Sequence, residues 1–254
     1  MSERTLQATG RWSVVTGAAG GIGIEIIQLF ARDGPVLAID RDRVALEGAL
    51  WAVDTGVAEI MTAVADIASA DEIAAAFGSL PAGAEIGRLV NCAAIFDHQP
   101  AETMTLEAWD QVLRVNLTGA FLCCQTAFSR MSKGSVIVNI GSINGHRVIP
   151  THANYAVSKA GLAMLTQCLA VEWARHGIRV VSVSPGIVDT TMNRRVEQQA
   201  GIDAAEVQAR LPMGRYATPG EIARVVDFLA SEGAAYVSGA DLLVDGAWTP
   251  QGAP

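Results

Sequence analysis

A tyrosine and a lysine four positions apart are the residues of this chain best suited to move a proton. Tyr155 and Lys159 would share one face of a helix, because residues at i and i+4 are neighbours on its surface. A free tyrosine has a pKa of about 10 and is a poor acid or base near neutrality. A nearby ammonium stabilises the phenolate and moves that pKa toward the working range. The pair predicts a proton-transfer group, although an ordinary pair on a helix surface has the same spacing.

Two further polar residues are candidates for the same chemistry. Ser142 follows a predicted strand, where open α/β sheets bind ligands, and its hydroxyl would polarise a carbonyl oxygen. Asn116 lies inside a long predicted helix, where an amide side chain competes for backbone hydrogen bonds. The alternatives are a simple turn at Ser142 and a structural amide at Asn116. The histidines show no metal-ligand spacing, and exposed loop positions are expected for His146 and His152.

Glycines after the first predicted strand suit a phosphate group. Gly17, Gly21 and Gly23 would let the backbone turn tightly and approach a pyrophosphate without a Cβ in the way. The N-terminus of the next helix would add free N–H groups and a partial positive charge. The alternative is a glycine-rich turn that only packs strand against helix. The spacing is Gly-x-x-x-Gly-x-Gly and not the dinucleotide-binding pattern Gly-x-Gly-x-x-Gly.

Acidic residues at the ends of the second and third predicted strands indicate which dinucleotide would bind. Asp40 stands about 20 positions beyond the glycines, where an acidic side chain binds the ribose hydroxyls of the adenosine. Its charge would repel a 2′-phosphate, so NAD is predicted over NADP, although Arg41 beside it could reach such a phosphate. Asp66 is a candidate contact for the adenine amino group or, alternatively, a helix-start residue.

Strand-like and helix-like segments alternate along the chain. They predict one Rossmann-type, doubly wound α/β domain over residues 1–254, with a seven-stranded parallel sheet and helices on both faces. The predicted strands are Trp12–Thr16, 35–39, 59–65, 88–92, 135–140, 179–183 and 242–244. The predicted helices run from the glycines to residue 32 and over 41–53, 69–80, 106–131, 153–175 and Pro219–Ala230. Ser69 with Glu72 and Thr218 with Glu221 form capping-box patterns. Residues 187–217 contain no predicted strand and are a candidate lid.

The composition excludes several classes of partner. Half of the 254 residues are apolar and the formal net charge is −8, which argues against binding nucleic acid or anionic lipid. No stretch approaches the roughly 20 apolar residues of a membrane span, and the polar N-terminus has no signal-peptide pattern. The four cysteines show neither metal nor disulfide spacing and are expected to be small buried residues of a reducing compartment. A cytoplasmic protein is expected.

With these residues assembled, the chain resembles the short-chain dehydrogenase/reductase family over essentially its full length. The motifs that carry the resemblance are Thr16-Gly17-x-x-x-Gly21-x-Gly23, Asp66, Asn91-Cys92-Ala93-Ala94, Asn116, Ser142, Tyr155-x-x-x-Lys159 and Pro185-Gly186. The resemblance implies that Tyr155 is the acid/base and that Ser142 orients the substrate. It also implies that Lys159 binds ribose and tunes Tyr155, while Asn116 supports a proton-relay water.

The resemblance further implies a set of cofactor contacts and an assembly. Thr190 would lie near the nicotinamide amide, and homotetramers or dimers would be expected. The implied cofactor-binding residues are Gly17, Gly21, Ile22, Gly23, Asp40, Asp66, Ile67, Asn91, Tyr155, Lys159, Pro185, Gly186, Val188 and Thr190. The sequence departs from the family pattern at Asn91-Cys92-Ala93-Ala94, where Asn-Asn-Ala-Gly is usual, at Ser182 and at Ala247. Ala94 in place of glycine would crowd a backbone beside the adenosine.

Three functions are compatible with these residues. The leading one is an NAD-linked dehydrogenase that acts on a small secondary alcohol, polyol, sugar alcohol or cyclic alcohol. The second is a reductase of 3-oxoacyl thioesters, whose acidic carrier protein would dock on arginines of the lid segment; solvated lid charges are the alternative. Those arginines are Arg194, Arg195, Arg210 and Arg215. The third is a non-catalytic NAD-binding sensor, which would be expected to lose Ser142, Tyr155 or Lys159, and the chain keeps all three.

Overall fold

The computed structural model describes residues 10–51, 53 and 58–251, without the side chains of residues 199 and 200. Its centre is a seven-stranded sheet in the order β3-β2-β1-β4-β5-β6-β7, with every neighbouring pair parallel. The strands are β1 (Trp12–Thr16), β2 (Val36–Asp40), β3 (Ile60–Val64), β4 (Ile86–Asn91), β5 (Val136–Ile140), β6 (Arg179–Pro185) and β7 (Asp241–Val244). The predicted doubly wound parallel sheet is confirmed.

The central strands are continuous apolar runs because helices cover both of their faces. All five residues of β1 and all five of β5 are buried. The edge strands β3 and β7 are only partly buried, since each has a neighbour on one side only. The pattern of burial thus follows the position of each strand in the sheet.

Helices pack on the two faces of the sheet and form two separate apolar clusters. One cluster includes residues of α1, α2 and α9, and the other includes residues of α3, α5 and α6. The helices are α1 (Gly21–Phe30), α2 (Arg43–Leu50), α3 (Ala70–Gly78), α4 (Leu106–Leu113), α5 (Ala120–Phe128), α6 (Ala153–Trp173), α7 (Thr191–Ala200), α8 (Ala204–Arg210) and α9 (Pro219–Ala230). Most begin or end one to three residues away from the predicted bounds, as frayed and capped ends do.

The prediction of a single long helix over residues 106–131 is wrong, because the helix is interrupted. A π-helical segment, Arg114–Gly119, separates α4 from α5. Gly119 lies where a Cβ would be 2.7 Å from the backbone oxygen of Ile67, so this segment packs directly on the loop after β3. Single π turns of this kind occur often at functional sites, and Asn116 is inside this one.

Two smaller expectations also need correction. Ser69 caps α3 by accepting from the backbone N–H of Glu72, but the Glu72 carboxylate accepts from Asp66 instead of returning to Ser69. The capping box is therefore incomplete there, whereas at Thr218 and Glu221 it is complete. The end of the predicted helix over 41–53 falls partly outside the described residues, as do residues 1–9.

The candidate lid contains two helices that the sequence analysis did not predict. Thr190 caps α7 and Asp203 caps α8, each through a side-chain oxygen that accepts a backbone N–H. Helix α7 is polar and ends at Gly201 with a φ of +64°, so it lacks the apolar stripe on which the prediction relied. The capping residues Thr190 and Asp203 were the sequence features that could have indicated these two helices.

Two observations bear on the expected surroundings of the protein. Within the described ranges, no helix is both long and apolar enough to cross a membrane. All four cysteines are free, and Cys123 and Cys124 are buried. The expectation of burial is wrong for Cys168, whose side chain is exposed on α6.

The chain order of the strands creates a crevice. From β1 the chain moves outward to β2 and β3, and then returns to place β4 on the other side of β1. The connections after β1 and β4 therefore diverge from a common point at the carboxyl edge of the sheet. Ligands of open α/β sheets bind at such a switch point.

Candidate active site

The glycine-rich loop lies at the switch point and is pressed against the end of β4. Gly17 has a φ of +67°, and a Cβ on it would be 2.6 Å from the backbone nitrogen of Ala93. The hydroxyl of Thr16 accepts hydrogen bonds from the backbone N–H groups of Cys92 and Ala93, at 3.2 and 3.3 Å. A Cβ on Gly23 would come within 2.2 Å of the Gly17 oxygen. These positions admit only glycine, and the resulting backbone cradle fits a pyrophosphate.

The start of α1 faces this cradle without a side-chain cap. Gly20 is its N-cap residue and makes no side-chain hydrogen bond to the first turn. The first backbone N–H groups of a helix have no partner within the helix, and together with the helix dipole they form an anion site. Thr190 packs against this start, because a Cβ on Gly21 would be 3.4 Å from the Thr190 methyl group. The candidate lid thus passes beside the glycine-rich loop.

Asp40 stands beside the same loop, at the end of β2. Its carboxylate accepts from the backbone N–H of Ala19 at 3.0 Å and from that of Asp42 at 3.1 Å. These bonds hold a negative charge next to the predicted adenosine site. Arg41 is exposed. Asp66 accepts from the backbone N–H of Ala68 at 2.9 Å, which is the contact expected of a residue at a helix start.

Asn91 ends β4 in a buried chain of amides and hydroxyls. Its Nδ2 donates to Oδ1 of Asn139 at 2.9 Å, and Nδ2 of Asn139 donates to the hydroxyl of Thr166 at 2.8 Å. Oδ1 of Asn91 is buried and has no hydrogen-bond partner among the described residues. A buried acceptor without a donor is costly, and a ribose hydroxyl would satisfy it. The residues present therefore fit a nicotinamide dinucleotide.

The remaining candidate cofactor residues lie near this crevice. Pro185 ends β6, and a Cβ on Gly186 would be 2.9 Å from the Asp245 backbone, so this turn needs glycine. Val188 is buried and pairs with Ala217 in an isolated bridge that joins the two ends of the lid. Ile67 is buried in the cluster of α3, α5 and α6, and Ile22 packs against the opposite cluster.

Ser142, Tyr155 and Lys159 meet at the carboxyl end of β5. Interaction with the Ser142 side chain lowers the pKa of the Tyr155 phenol. Burial has the larger and opposite effect and raises the pKa of Tyr155 to about 12. Nζ of Lys159 donates to the backbone oxygen of Ile140 at 2.7 Å and lies 5.6 Å from the centre of the Tyr155 ring. Burial lowers the pKa of Lys159 to about 8.

The electrostatics of this group differ from the expectation in one respect. The Tyr155–Lys159 pair predicts that the ammonium lowers the pKa of Tyr155, but desolvation of the phenol dominates in the protein alone. The ammonium is held by the Ile140 carbonyl, and the ring lies beside it. Any lowering of the Tyr155 pKa beyond the effect of Ser142 therefore depends on what fills the crevice.

Asn116 joins α6 to the loop after β4. Its Oδ1 accepts from the backbone N–H of Ile95 at 2.8 Å, and its Nδ2 donates to Ile95 O at 2.9 Å and to the Ser158 hydroxyl at 3.1 Å. The side chain thus fixes the loop that carries Phe96 and His98. Ser158 was not singled out from the sequence, and neither were Asn139 and Thr166. Asn139 stands inside the otherwise apolar β5, and this polar residue was the sequence feature that could have indicated its buried hydrogen bond to Thr166.

The candidate lid contains one internal ion pair, makes one ion pair to α9 and borders a cavity. Arg194 pairs with Asp189 at 2.7 Å, and Arg215 pairs with Glu221 at 2.7 Å. Between the lid and the loop after β7 is a cavity of about 110 Å³. Its lining includes Gly186, Leu211, Met213, Val244 and Gly246.

Comparison with known proteins places this geometry in a family. A family model described as enoyl-(acyl carrier protein) reductase matches residues 17–249. Galactitol 2-dehydrogenase (L-tagatose-forming) of Cereibacter sphaeroides is 39% identical, over 98% of this chain and 99% of that protein. D-threitol dehydrogenase of Mycolicibacterium smegmatis is 36% identical, over 94% of this chain and 93% of that protein. The chain belongs to the short-chain dehydrogenase/reductase family.

Two further comparisons agree with this assignment. An uncharacterized short-chain type dehydrogenase/reductase of Sinorhizobium fredii is 39% identical over 98% of this chain, which spans 45% of that protein. The crystal structure of levodione reductase superposes with a TM-score of 0.90 at 30% identity, covering 96% of this chain and 99% of that one. This short-chain dehydrogenase/reductase is an oxidoreductase that acts on CH–OH groups and uses a nicotinamide cofactor.

Gly17→Ala tests the close approach at the switch point. The variant combines a left-handed backbone with a clash against Ala93, and we expect it to lower the free energy of unfolding by more than about 2 kcal/mol. Gly83→Ala is the matched control, since Gly83 has a φ of +76° and open space around its Cβ position; it should cost about 1 kcal/mol. Denaturant unfolding of both variants measures the difference. Equal losses would contradict the close-approach argument.

Proposed function

We propose that this enzyme is an NAD(H)-dependent oxidoreductase that interconverts a secondary alcohol and the corresponding ketone. The proposed substrate is a polyol, a sugar alcohol or a cyclic alcohol. The observation that carries the proposal is the meeting of Ser142, Tyr155 and Lys159 beside the glycine cradle. The names of the galactitol and D-threitol dehydrogenases support the choice of a polyol.

Tyr155 is the proposed acid/base of the reaction. Bound NAD(H) supplies hydride exchange with the substrate carbon. In alcohol oxidation the Tyr155 oxygen takes the hydroxyl proton, and in ketone reduction it returns that proton. The hydroxyl of Ser142, whose interaction with Tyr155 lowers the pKa of the phenol, would hold the same substrate oxygen and stabilise negative charge on it.

Lys159 and Asn116 act around this centre in the proposal. The buried Lys159 ammonium would donate to the ribose hydroxyls while keeping positive charge beside the tyrosine ring, and its bond to Ile140 O fixes its position. Asn116 would support a water that carries the proton outward. Its two bonds to Ile95 hold the π segment in place.

NAD is the proposed cofactor because of Asp40. The carboxylate is fixed by the Ala19 and Asp42 N–H groups next to the loop that would cradle the pyrophosphate. There it can accept hydrogen bonds from two ribose hydroxyls, and it would lie against the extra phosphate of NADP. Gly17, Gly21, Gly23, Asn91, Gly186, Val188 and Thr190 would complete the site, together with Ile22, Asp66, Ile67 and Pro185.

We further propose that residues 1–254 form one catalytic domain with residues 187–217 as the substrate lid. The lid starts beside the phosphate loop at Thr190 and returns to it through the bridge between Val188 and Ala217. Leu211, Met213 and Ala217, from the stretch after α8, line the cavity next to Gly186. Closure of such a segment would exclude water from the reacting groups.

A 3-oxoacyl thioester reductase is the second candidate, and the lid arginines weigh against it. Arg194 and Arg215 are already paired with Asp189 and Glu221, so they are less available to an acidic carrier protein. The carboxylate of Asp40 also opposes NADPH, which would be the expected cofactor of that reaction.

A homo-oligomer is the proposed assembly, and the cytoplasm the proposed location. Helices α4, α5 and α6 expose large apolar side chains, which mark interaction surfaces when they are contiguous. These are Leu106, Phe121, Val157, Met164 and Val171, the last of them 80% exposed. The four free cysteines suit a reducing compartment, and cell fractionation would check the location.

Tyr155→Phe tests the acid/base role. Loss of the hydroxyl removes the proton acceptor but leaves the ring, so we expect turnover to fall by a factor of about 10² to 10⁴ while NADH binding stays close to wild type. NADH formation at a fixed alcohol concentration and NADH fluorescence titration measure the two quantities. Tyr236→Phe, at a fully exposed tyrosine, is the control. Undiminished turnover of Tyr155→Phe would contradict the acid/base role of Tyr155.

Asp40→Asn tests the choice of cofactor. The amide keeps the shape of the side chain but loses the charge that opposes a 2′-phosphate, so the preference for NAD over NADP should fall by roughly 10-fold or more. The ratio of kcat/KM values for the two cofactors measures it. Asp42→Asn is the matched control, because Asp42 caps α2 next to this site and asparagine caps equally well. A wild type without preference for NAD would contradict the proposal.

Val171→Arg tests the proposed interface. An arginine on an apolar contact surface would leave a buried charge, so the variant should have a smaller mass than wild type in light scattering. Val44→Arg on α2 is the matched control, because Val44 is equally exposed, at 80%. A monomeric wild type, or equal masses for all three proteins, would overturn the assignment of this face.

A further inference from the structure

Two connections at the carboxyl edge, those after β4 and after β5, form an aromatic and polar wall next to Tyr155. The ring of Phe96 lies edge-on to Tyr155, with 5.0 Å between centroids, and edge-on to His152 at 4.6 Å. His98 lies 5.5 Å from His152. One aromatic ring thus separates His152 from the proposed acid/base. We call Phe96, His98, Asn144 and His152 the substrate wall.

His152 is held in a defined orientation within this wall. Nδ2 of Asn144 lies 2.9 Å from Nδ1 of His152, and an amide N–H in that position donates to the ring nitrogen. Nδ1 is then the acceptor, and the ring proton lies on Nε2. Among the described residues, no hydrogen bond reaches Nε2. The ring therefore has one engaged nitrogen and one N–H without a protein partner.

The expected exposed loop position is wrong for His152, and its environment keeps it neutral. Burial lowers the pKa of His152 to about 4, with a smaller contribution in the same direction from His98. Near neutral pH the ring is therefore uncharged and presents a single donor. Such a group suits a neutral hydroxyl or carbonyl oxygen better than an anionic carboxylate or phosphate, which arginine and lysine bind more strongly.

The backbone before His152 is strained, and two contacts from another loop hold it. Thr151 has a φ of +69°, in the left-handed region that non-glycine residues rarely adopt. Its hydroxyl lies 2.7 Å from Nε2 of His98, and its carbonyl accepts from the backbone N–H of Gln99 at 3.1 Å. Strain of this kind persists only where the surroundings fix it, and it concentrates at ligand sites. Here it sets the direction in which His152 enters α6.

We propose that His152 is a specificity-determining residue, whose Nε2–H donates to a second oxygen of the substrate, remote from the carbon that reacts. Asn144 is its positioning residue, and Phe96 packs on the carbon chain between the two oxygens. This inference rests on the proposed function and narrows its substrate to an alcohol with at least one further hydroxyl or carbonyl group. Ser142 and Tyr155 hold the reacting oxygen, and His152 holds the remote one.

His152→Leu and His152→Gln test this assignment. The rate constants kcat/KM with NAD would be measured for alcohols of equal chain length that differ in hydroxyl number, such as threitol against 2-butanol and galactitol against 2-hexanol. We expect the wild type to prefer the polyols. In His152→Leu that preference should fall by roughly 10- to 100-fold, as expected for one lost hydrogen bond to a desolvated group. The fall should come from lower kcat/KM values for the polyols, while the values for the mono-alcohols stay unchanged.

Glutamine and a distant histidine provide the controls. The side-chain amide of His152→Gln can still donate, so this variant should recover part of the polyol preference, which a purely structural role would not produce. His176→Leu removes an exposed histidine at the far end of α6 and should leave both substrate classes unchanged. Thermal unfolding of each variant establishes that it is folded.

The outcomes separate this inference from the proposed function. A wild type that oxidises alcohols but shows no preference for polyols overturns the role of His152 alone. So does a His152→Leu variant that loses activity on all alcohols equally. A wild type that turns over no alcohol with NAD overturns the proposed function itself.

Discussion

The close contact between the glycine-rich loop and the end of β4 is the constraint on which the rest of the structure depends. Gly17 can approach Ala93 because it has no Cβ, and Thr16 fixes the approach with hydrogen bonds to the same backbone. The two halves of the sheet diverge at this point, so the crevice opens there. The start of α1, Asp40 and Asn91 all face it because parallel strands place their carboxyl ends at one edge.

The proposed proton-transfer groups lie on the other half of the sheet, where burial and hydrogen bonds set their properties. Lys159 is a nearly fully buried amine that donates to the Ile140 carbonyl, and burial lowers its pKa to about 8. The same desolvation raises the pKa of Tyr155, and Ser142 has a smaller effect that lowers it. The protein alone therefore holds a neutral phenol beside a cation. In the proposed reaction, the substrate and cofactor that fill the crevice complete the environment in which this phenol exchanges a proton.

Sequence patterns predicted the sheet well because its central strands are buried on both faces and consist of apolar runs. They failed where hydrogen-bond register or polarity departs from the usual periodicity. The π segment at Arg114–Gly119 contains Asn116 and Gly119, which are unfavourable inside a helix, but neither residue by itself indicates a π turn; its contact with the loop after β3 distinguishes it. Helix α7 is polar and therefore lacked an apolar stripe, although its caps were visible in the sequence.

The sequence by itself determined the family, the fold and the identity of the candidate chemical groups, since each depends on residue type and local spacing. Tyr155 and Lys159 share a helix face whatever surrounds them. Only the tertiary structure decided what those groups experience. Desolvation, the orphan acceptor of Asn91 and the tautomer that Asn144 favours in His152 all arise between elements far apart in the chain. The wall beside Tyr155 joins the connections after β4 and after β5, and no spacing within one segment encodes their meeting.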